Sequence, residues 1–221
     1  DEWGVDVTVS GSQKGLMLPP GLGFNALSPK ALEANKTAKL PKAFWAWDEI
    51  LESNKTGYWP TTPSTNLLYG LHEALDMILT EGLDNVFARH HYLAEGVRAA
   101  VTQGWQLKLC AAEAKWYSDT VTAVMLPEGI AGTEVIARAY RRYNLSLGGG
   151  LSKVAGKLFR IGHLGDMNEV HLMAAISGAE MAMLDCGVTV QPGSGAAAAG
   201  NYWRQHAAPS GLGAPVINKD E

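Results

Sequence analysis

The chain has 221 residues, of which 47% are apolar and 18% are charged, and its formal net charge is -4. This composition is sufficient for a sizeable core and excludes disordered and fibrous chains. Lysines and arginines are scattered without a basic stripe, and every apolar run ends before about 18 residues. We therefore expect a soluble globular protein with neither a nucleic-acid partner nor a membrane span.

The two cysteines and the first residues bear on the compartment. Cys110 and Cys186 lie far apart without the spacing of a metal site, so the sequence predicts no disulfide framework and no metal centre. We expect both to be reduced, buried thiols. The opening Asp-Glu-Trp-Gly does not resemble a signal peptide, and a targeting segment would precede it. We expect a cytoplasmic protein.

The first part of the chain alternates strand and helix patterns. Strands are predicted from Val5 to Ser10 and from Leu22 to Leu27, since both runs are apolar and bounded by turn residues. Ser28 and Pro29 then have the residue types of a helix start, which predicts a short helix through Lys36. A further helix is predicted from Asp48 to Ser53.

Longer helices follow. An apolar stripe at helical spacing predicts a helix that begins after Ser64 and ends at Gly82, and a second stripe runs from Val86 to Val101 and closes at Gly104. The remaining predicted elements are strands at Gln106 to Cys110 and Thr120 to Leu126, a helix from Thr133 to Tyr143, a strand from Leu158 to Ile161, and a helix capped by Asn168 that runs to Asp185.

This order of elements predicts a domain organisation. Residues 1–62 are interpreted as the end of an α/β layer, 63–82 as a linking helix, and 83–190 as a small α+β domain. Residues 191–221 are a tail rich in Gly, Ala and Pro. No internal repeat is present.

The segment VTVSGSQKGLMLPPG, from Val7 to Gly21, places a lysine directly after a strand. A nucleophilic lysine needs partial desolvation and short neighbours at the end of a rigid element, and Lys14 has this setting. Ser10, Gly11 and Ser12, with the amide of Gln13, offer donors to a phosphate beside the amine. An ordinary lysine in a polar turn is the alternative, and the residues alone leave both open.

Three longer segments decide between these interpretations by resemblance. They are DVTVSGSQKGLMLPPGLGFNALSPKA, GYWPTTPSTNLLYGLHEAL and YNLSLGGGLSKVAGKLFRIGHLGDMNE. Together they resemble the class V aminotransferases, nearest to the serine–glyoxylate group, from Asp1 to about Trp203. Members of this family use pyridoxal phosphate and are longer. The resemblance implies the C-terminal half of a fold-type I transferase, comprising the end of the large cofactor-binding α/β domain and the small α+β domain.

The resemblance also implies roles for individual residues. Lys14 matches the lysine that carries the cofactor covalently and moves a proton, and Gln13 matches a residue that binds the cofactor phosphate. Tyr58 and Thr61 match residues that reach the phosphate from the partner subunit, which implies a homodimer. Arg160 matches the arginine that binds the substrate carboxylate, a task suited to a planar guanidinium that contacts two oxygens at once.

Three other features are interpreted as structural. Asp6 is expected to be a strand-start or turn residue, because the aspartate that contacts the cofactor ring in the family lies on a segment upstream. His163 is expected to be a hydrogen-bonded structural histidine. Gly148 to Gly150 are interpreted as a close-approach turn leading toward the substrate side.

The implied activity is transfer of the amino group of L-serine to glyoxylate, giving 3-hydroxypyruvate and glycine. Alanine–glyoxylate transamination is the alternative within the class. A non-catalytic assembly fragment is another, because the resemblance places much of the cofactor site outside this chain. A cysteine desulfurase needs a reactive cysteine in a mobile loop, and neither cysteine lies in such a sequence.

Overall fold

The computed structural model describes residues 2–206, which divide after Met77 into two compact units. In the first unit, β1 (Val7–Gly11) and β2 (Gly23–Leu27) form an antiparallel pair with Val7 opposite Leu27. The helices that follow are α1 (Pro29–Lys36), α2 (Trp47–Asn54) and α3 (Thr65–Glu81).

The second unit contains a four-stranded antiparallel sheet in the order β3-β4-β6-β5. Its chain begins with the last residues of α3, from Ile78 to Glu81, and continues in α4 (Leu83–Ala99), which ends in a wider π-helical turn at Ala100–Gly104. The elements that follow are β3 (Lys108–Leu109), β4 (Val121–Met125), α5 (Gly132–Tyr143), β5 (Gly148–Gly149), β6 (Leu158–Gly162), α6 (Glu169–Asp185) and α7 (Ser194–Gln205).

The two predicted helix caps are confirmed. The Ser28 hydroxyl accepts a hydrogen bond from the amide of Ala31 at 3.1 Å. The Asn168 side chain accepts from the amides of Val170 and His171, at 3.0 and 3.1 Å. Each cap satisfies amides that have no partner within the helix.

Every helix and strand predicted above is present, with ends displaced by a few residues.

The core of the second unit lies between one face of the sheet and its helices. Phe159 and Ile161 of β6 are buried there with Ile176 of α6. Helices α4 and α7 approach closely because Gly96 has no side chain: a Cβ at this position would lie 2.1 Å from the indole of Trp203. The Trp203 indole donates to the carbonyl of Tyr92 at 3.1 Å, which joins the two helices.

Helix α7 forms in the predicted tail, where the sequence analysis assigns no helix. The buried carboxylate of Glu180 accepts hydrogen bonds from the amides of Gly193 and Gly195, at the start of α7, and from the indole of Trp105. A carboxylate at a helix N-terminus satisfies open amides and complements the helix dipole. Residues 207–221 of the predicted tail lie outside the described residues, and the predicted domain boundaries stay a prediction.

Both cysteines are free thiols, but the expectation that both are buried is wrong, because Cys110 is exposed and Cys186 is only partly buried. Cys110 is exposed because it directly follows β3, the edge strand of the sheet. Across residues 2–206, no helix combines the length and apolar character needed to cross a membrane. The same residues contain no cluster of three His, Cys, Asp or Glu side chains that could hold a metal ion.

Candidate active site

The loop between β1 and β2 carries Lys14 and is closed around Ser12. The Ser12 hydroxyl donates to the carbonyl of Pro19 at 2.8 Å and accepts from the amide of Leu22 at 3.2 Å. The Ser12 amide donates to the carbonyl of Leu22, and the Ser12 carbonyl accepts from the amide of Leu18, both at 3.1 Å. Four hydrogen bonds therefore converge on one fully buried residue.

This arrangement corrects the suggested role of Ser12. The sequence analysis counted its hydroxyl among the donors available to a phosphate. The single hydroxyl proton is instead used within the loop, and the side chain is shielded from solvent. Ser12 therefore shapes the loop that presents Lys14 and does not itself face a ligand.

Helix α3 supports the same loop through two close approaches. A Cβ on Gly21 would lie 2.5 Å from Cδ1 of Leu67, and a Cβ on Gly70 would lie 2.8 Å from Cδ2 of Leu18. At both positions glycine allows an apolar side chain to pack against backbone. The loop thus rests on the first half of α3.

Lys14 itself is exposed on the turn that follows Ser12, so the expectation that its own segment partly desolvates it is wrong. Its carbonyl accepts from the amide of Met17 at 2.9 Å, which closes the turn. Within residues 2–206, the Lys14 ammonium makes no hydrogen bond or ion pair. The Lys14 side chain is therefore accessible, and no acidic side chain of the described residues holds it.

Gln13 lies beside Lys14 and folds back over the end of β1. A Cβ on Gly11 would lie 2.8 Å from Oε1 of Gln13, so the side-chain amide occupies the space that glycine leaves open. Gln13 and Lys14 are thus consecutive residues of one turn, and the Gln13 side chain is directed back toward Gly11.

Tyr58 and Thr61 lie on the loop between α2 and α3. This loop leaves α2 through Gly57, whose φ is 79°, with hydrogen bonds from the Gly57 amide to the Asn54 carbonyl and from the Tyr58 amide to the Ser53 carbonyl. Such a pattern is a Schellman motif. Tyr58 is 73% exposed, and Thr61 is exposed as well.

Arg160 belongs to the second unit, in the middle of β6. It lies opposite Ala123 of β4 and Gly148 of β5. Its Nε is shielded from solvent and has no hydrogen-bond partner within the described chain. A buried donor without a partner is costly, whereas a bound anion would satisfy it. Arg160 is therefore the described guanidinium best prepared for a carboxylate.

Asp6 is used locally, as expected. Its carboxylate accepts from the Ser28 hydroxyl at 2.7 Å and pairs with the Lys30 ammonium at 2.9 Å. The bond from Lys30, followed by that from Ser28, lowers the pKa of Asp6. Asp6 thus links the start of β1 to the start of α1.

Sequence reasoning missed the residues that hold the segment after β6. Arg89 donates to the carbonyls of Gly165 and Met167, at 2.7 and 3.3 Å, and forms a bidentate pair with Glu81. The neighbouring His90 accepts from the amide of Gly165 at 3.0 Å. Nothing in the spacing of these residues signals this role, because the backbone groups that they hold at Gly165 and Met167 are more than 70 positions away along the chain.

His163 is a structural residue, as expected. Its Nδ1 donates to the carbonyl of Asp119 at 3.0 Å, since a carbonyl can only accept, and its Nε2 accepts from the Thr122 hydroxyl at 2.8 Å. The ring is fully buried. Burial is the largest cause that lowers the pKa of His163 to about 4, with a smaller contribution from the positive charge of Arg98.

This buried histidine predicts acid sensitivity. An unfolded histidine titrates near pH 6.5 and the folded one near 4, so the unfolded chain binds one more proton between these values. We expect the contribution of His163 to be fully present above pH 6.5. About 3 kcal/mol of the free energy of unfolding should be lost as the pH falls to 4.

Urea unfolding between pH 4 and 7.5 measures this effect. The His163→Gln variant should show a flatter pH dependence than the unmodified chain. Replacing His91, an exposed histidine paired with Asp119, should leave most of the change in the free energy of unfolding with pH. An identical slope in the His163→Gln variant would contradict the assignment.

No protein-family model matches the chain, but individual relatives do. Serine–glyoxylate aminotransferase of Arabidopsis thaliana is 56% identical over 207 residues, which cover 93% of this chain and 51% of that protein. The enzyme of the same name from Hyphomicrobium methylovorum is 54% identical, with 95% and 52% covered. L-Aspartate–glyoxylate aminotransferase of Paracoccus denitrificans is 49% identical, with 93% and 52% covered.

Solved structures agree with these relatives. Pyridoxamine–pyruvate aminotransferase from Mesorhizobium loti superposes with a TM-score of 0.84 at 31% identity, over 92% of this chain and 53% of that one. Alanine–glyoxylate aminotransferase from Nostoc sp. superposes with a TM-score of 0.71 at 33% identity, over 83% of this chain and 49% of that one. The chain thus spans about half the length of the proteins it matches. The structural likeness confirms the predicted fold class. The chain belongs to the class V aminotransferases.

Proposed function

We propose that the full-length protein is a pyridoxal-phosphate-dependent aminotransferase that transfers the amino group of L-serine to glyoxylate, forming 3-hydroxypyruvate and glycine. The observation that carries this proposal is the Lys14 ammonium, which is exposed on a closed turn after β1 and pairs with no acidic side chain in residues 2–206. The identity with serine–glyoxylate aminotransferases over 93% or more of the chain supports the choice of substrates.

The residues present fit the cofactor in two respects. Lys14 offers an amine to the aldehyde, and the Gln13 amide, held over Gly11, offers a donor beside it. When bound, pyridoxal phosphate withdraws electrons from the bond that breaks at the substrate α-carbon. Lys14 would hold the cofactor and then move the proton at that carbon, while Gln13 would donate to the phosphate.

Arg160 would bind the carboxylate that both substrates share. Its Nε has no partner among the described residues, so a carboxylate would satisfy a donor that is otherwise orphaned. A guanidinium holds two carboxylate oxygens in one plane and thereby orients the α-carbon. L-Serine and glyoxylate would therefore compete for the same arginine.

The active form would be a homodimer in which Tyr58 and Thr61 contact the phosphate of the partner subunit. The exposure of both residues on the loop after α2 leaves them accessible to a second copy of the chain. In an isologous dimer each site would then contain residues from both subunits. Sedimentation of the active species should give the mass of a dimer, and activity in a monomer would contradict the arrangement.

An assay of amino donors tests the proposed reaction. The full-length protein, supplied with pyridoxal phosphate and glyoxylate, should form glycine fastest from L-serine, with one 3-hydroxypyruvate per glycine. L-Alanine and L-aspartate serve as comparison donors, because related proteins are named for these amino acids. Faster turnover of L-alanine would support the alanine–glyoxylate alternative. Failure to form glycine from any donor, without cofactor absorbance, would support the non-catalytic alternative.

A further inference from the structure

The glycine run Gly148 to Gly150 has no role in the function proposed above, yet it lies beside the carboxylate-binding arginine. Gly148 forms part of the short edge strand β5 and pairs directly with Arg160 of β6. Directly paired residues project to the same face of a sheet. On that face the other direct neighbour of Arg160 is Ala123, so both flanking positions carry very small residues.

The space at Gly148 is filled by Arg160 itself. A Cβ on Gly148 would lie 3.1 Å from Nε, 3.2 Å from Cβ and 3.4 Å from Nη2 of Arg160. These distances are tighter than ordinary van der Waals contact, so one of the two groups would have to move by a few tenths of an ångström. The guanidinium therefore lies against the backbone of β5 in a place that only glycine leaves open.

Backbone conformation does not explain the glycine. The φ of Gly148 lies outside the left-handed region, so other residues could adopt the same backbone. The requirement is one of space, and it concerns Nε and Nη2, two of the nitrogens that a bidentate arginine can present to a carboxylate.

We propose that Gly148 is a positioning residue that sets the place of the Arg160 guanidinium, and that the absence of a side chain there is needed for carboxylate binding by both substrates. This inference rests on the proposed function of Arg160. A displaced guanidinium would still attract an anion, but it would hold the carboxylate in a different plane from the one that orients the α-carbon.

The adjacent Gly149 provides a matched control. A Cβ on Gly149 would lie 3.6 Å from Cδ1 of Ile136, which is ordinary contact, and successive residues of a strand face opposite sides. Gly149→Ala thus adds the same methyl group to the same strand without touching Arg160.

The test compares Gly148→Ala, Gly148→Ser and Gly149→Ala in the full-length protein, each checked for unchanged thermal unfolding. We expect both Gly148 variants to raise the KM for the amino donor and for glyoxylate about three- to tenfold, with kcat changed less. The inhibition constant of propionate, which presents only a carboxylate, should rise by a similar factor. Gly149→Ala should change none of these values more than about twofold.

A double-mutant cycle separates this inference from the function on which it rests. In an Arg160→Gln background, Gly148→Ala should have little further effect on propionate binding, because the guanidinium through which it acts is gone. An equal effect of Gly148→Ala on propionate binding in both backgrounds would overturn the proposed role of Gly148 without affecting that of Arg160. Equal kinetic constants in Gly148→Ala and Gly149→Ala would do the same. If Arg160→Gln itself leaves propionate binding unchanged, the proposed function of Arg160 fails and this inference fails with it.

Discussion

Replacement of Lys14 by alanine in the full-length protein is expected to lower turnover by about 100- to 10,000-fold or more, the range that a positioned acid–base group supplies. The variant should also lose covalent attachment of the cofactor, because Lys14 is the proposed point of attachment. Since the ammonium is exposed and makes no hydrogen bond within residues 2–206, its removal should not change the thermal unfolding of the cofactor-free protein.

Borohydride reduction followed by peptide mass mapping checks the attachment independently of activity. The cofactor mass should appear on the peptide that contains Lys14 and should be absent in the variant. Lys55→Ala is a suitable control, because Lys55 forms an exposed pair with Glu52 that contributes little to stability. A reduced adduct on another lysine would contradict the assignment.

Replacement of Arg160 by lysine should cost about 2–4 kcal/mol of transition-state binding, roughly a 30- to 900-fold loss of kcat/KM. Lysine retains the positive charge but presents one nitrogen in place of the planar fork. The lost interactions include the buried Nε, which has no other partner in the described part of the chain. The KM values of L-serine and glyoxylate should both rise, because both substrates present a carboxylate.

Arg142→Lys is the matched control for this substitution. Nη1 of Arg142 donates to both carboxylate oxygens of Asp185, but 57% of the Arg142 side chain is exposed, so the same chemical change should leave the kinetic constants within about twofold. A higher KM for L-serine with an unchanged KM for glyoxylate would show that the two substrates do not share Arg160.

The sequence singled out the candidate site residues, but it could not describe their environment. Lys14 stands out because a strand followed by short polar residues is a local pattern. That pattern did not exclude an ordinary lysine in a polar turn. It also led to the wrong prediction that the Ser12 hydroxyl donates to a ligand. The hydrogen bonds of Ser12 to Pro19 and Leu22 arise only when the loop closes. The orphaned Nε of Arg160 likewise depends on strands β4 and β5, which lie on either side of it.

The sequence by itself determined where the helices begin, since Ser28 and Asn168 cap amides within three positions of themselves. It did not predict α7, whose Gly- and Ala-rich residues have no clear apolar stripe. Helix α7 exists because Glu180 accepts hydrogen bonds from its first amides and because Gly96 leaves space for Trp203. Helix caps and apolar stripes depend on neighbours along the chain, so they can be predicted from sequence. The Glu180 acceptor and the space at Gly96 involve distant residues that only the tertiary structure brings together.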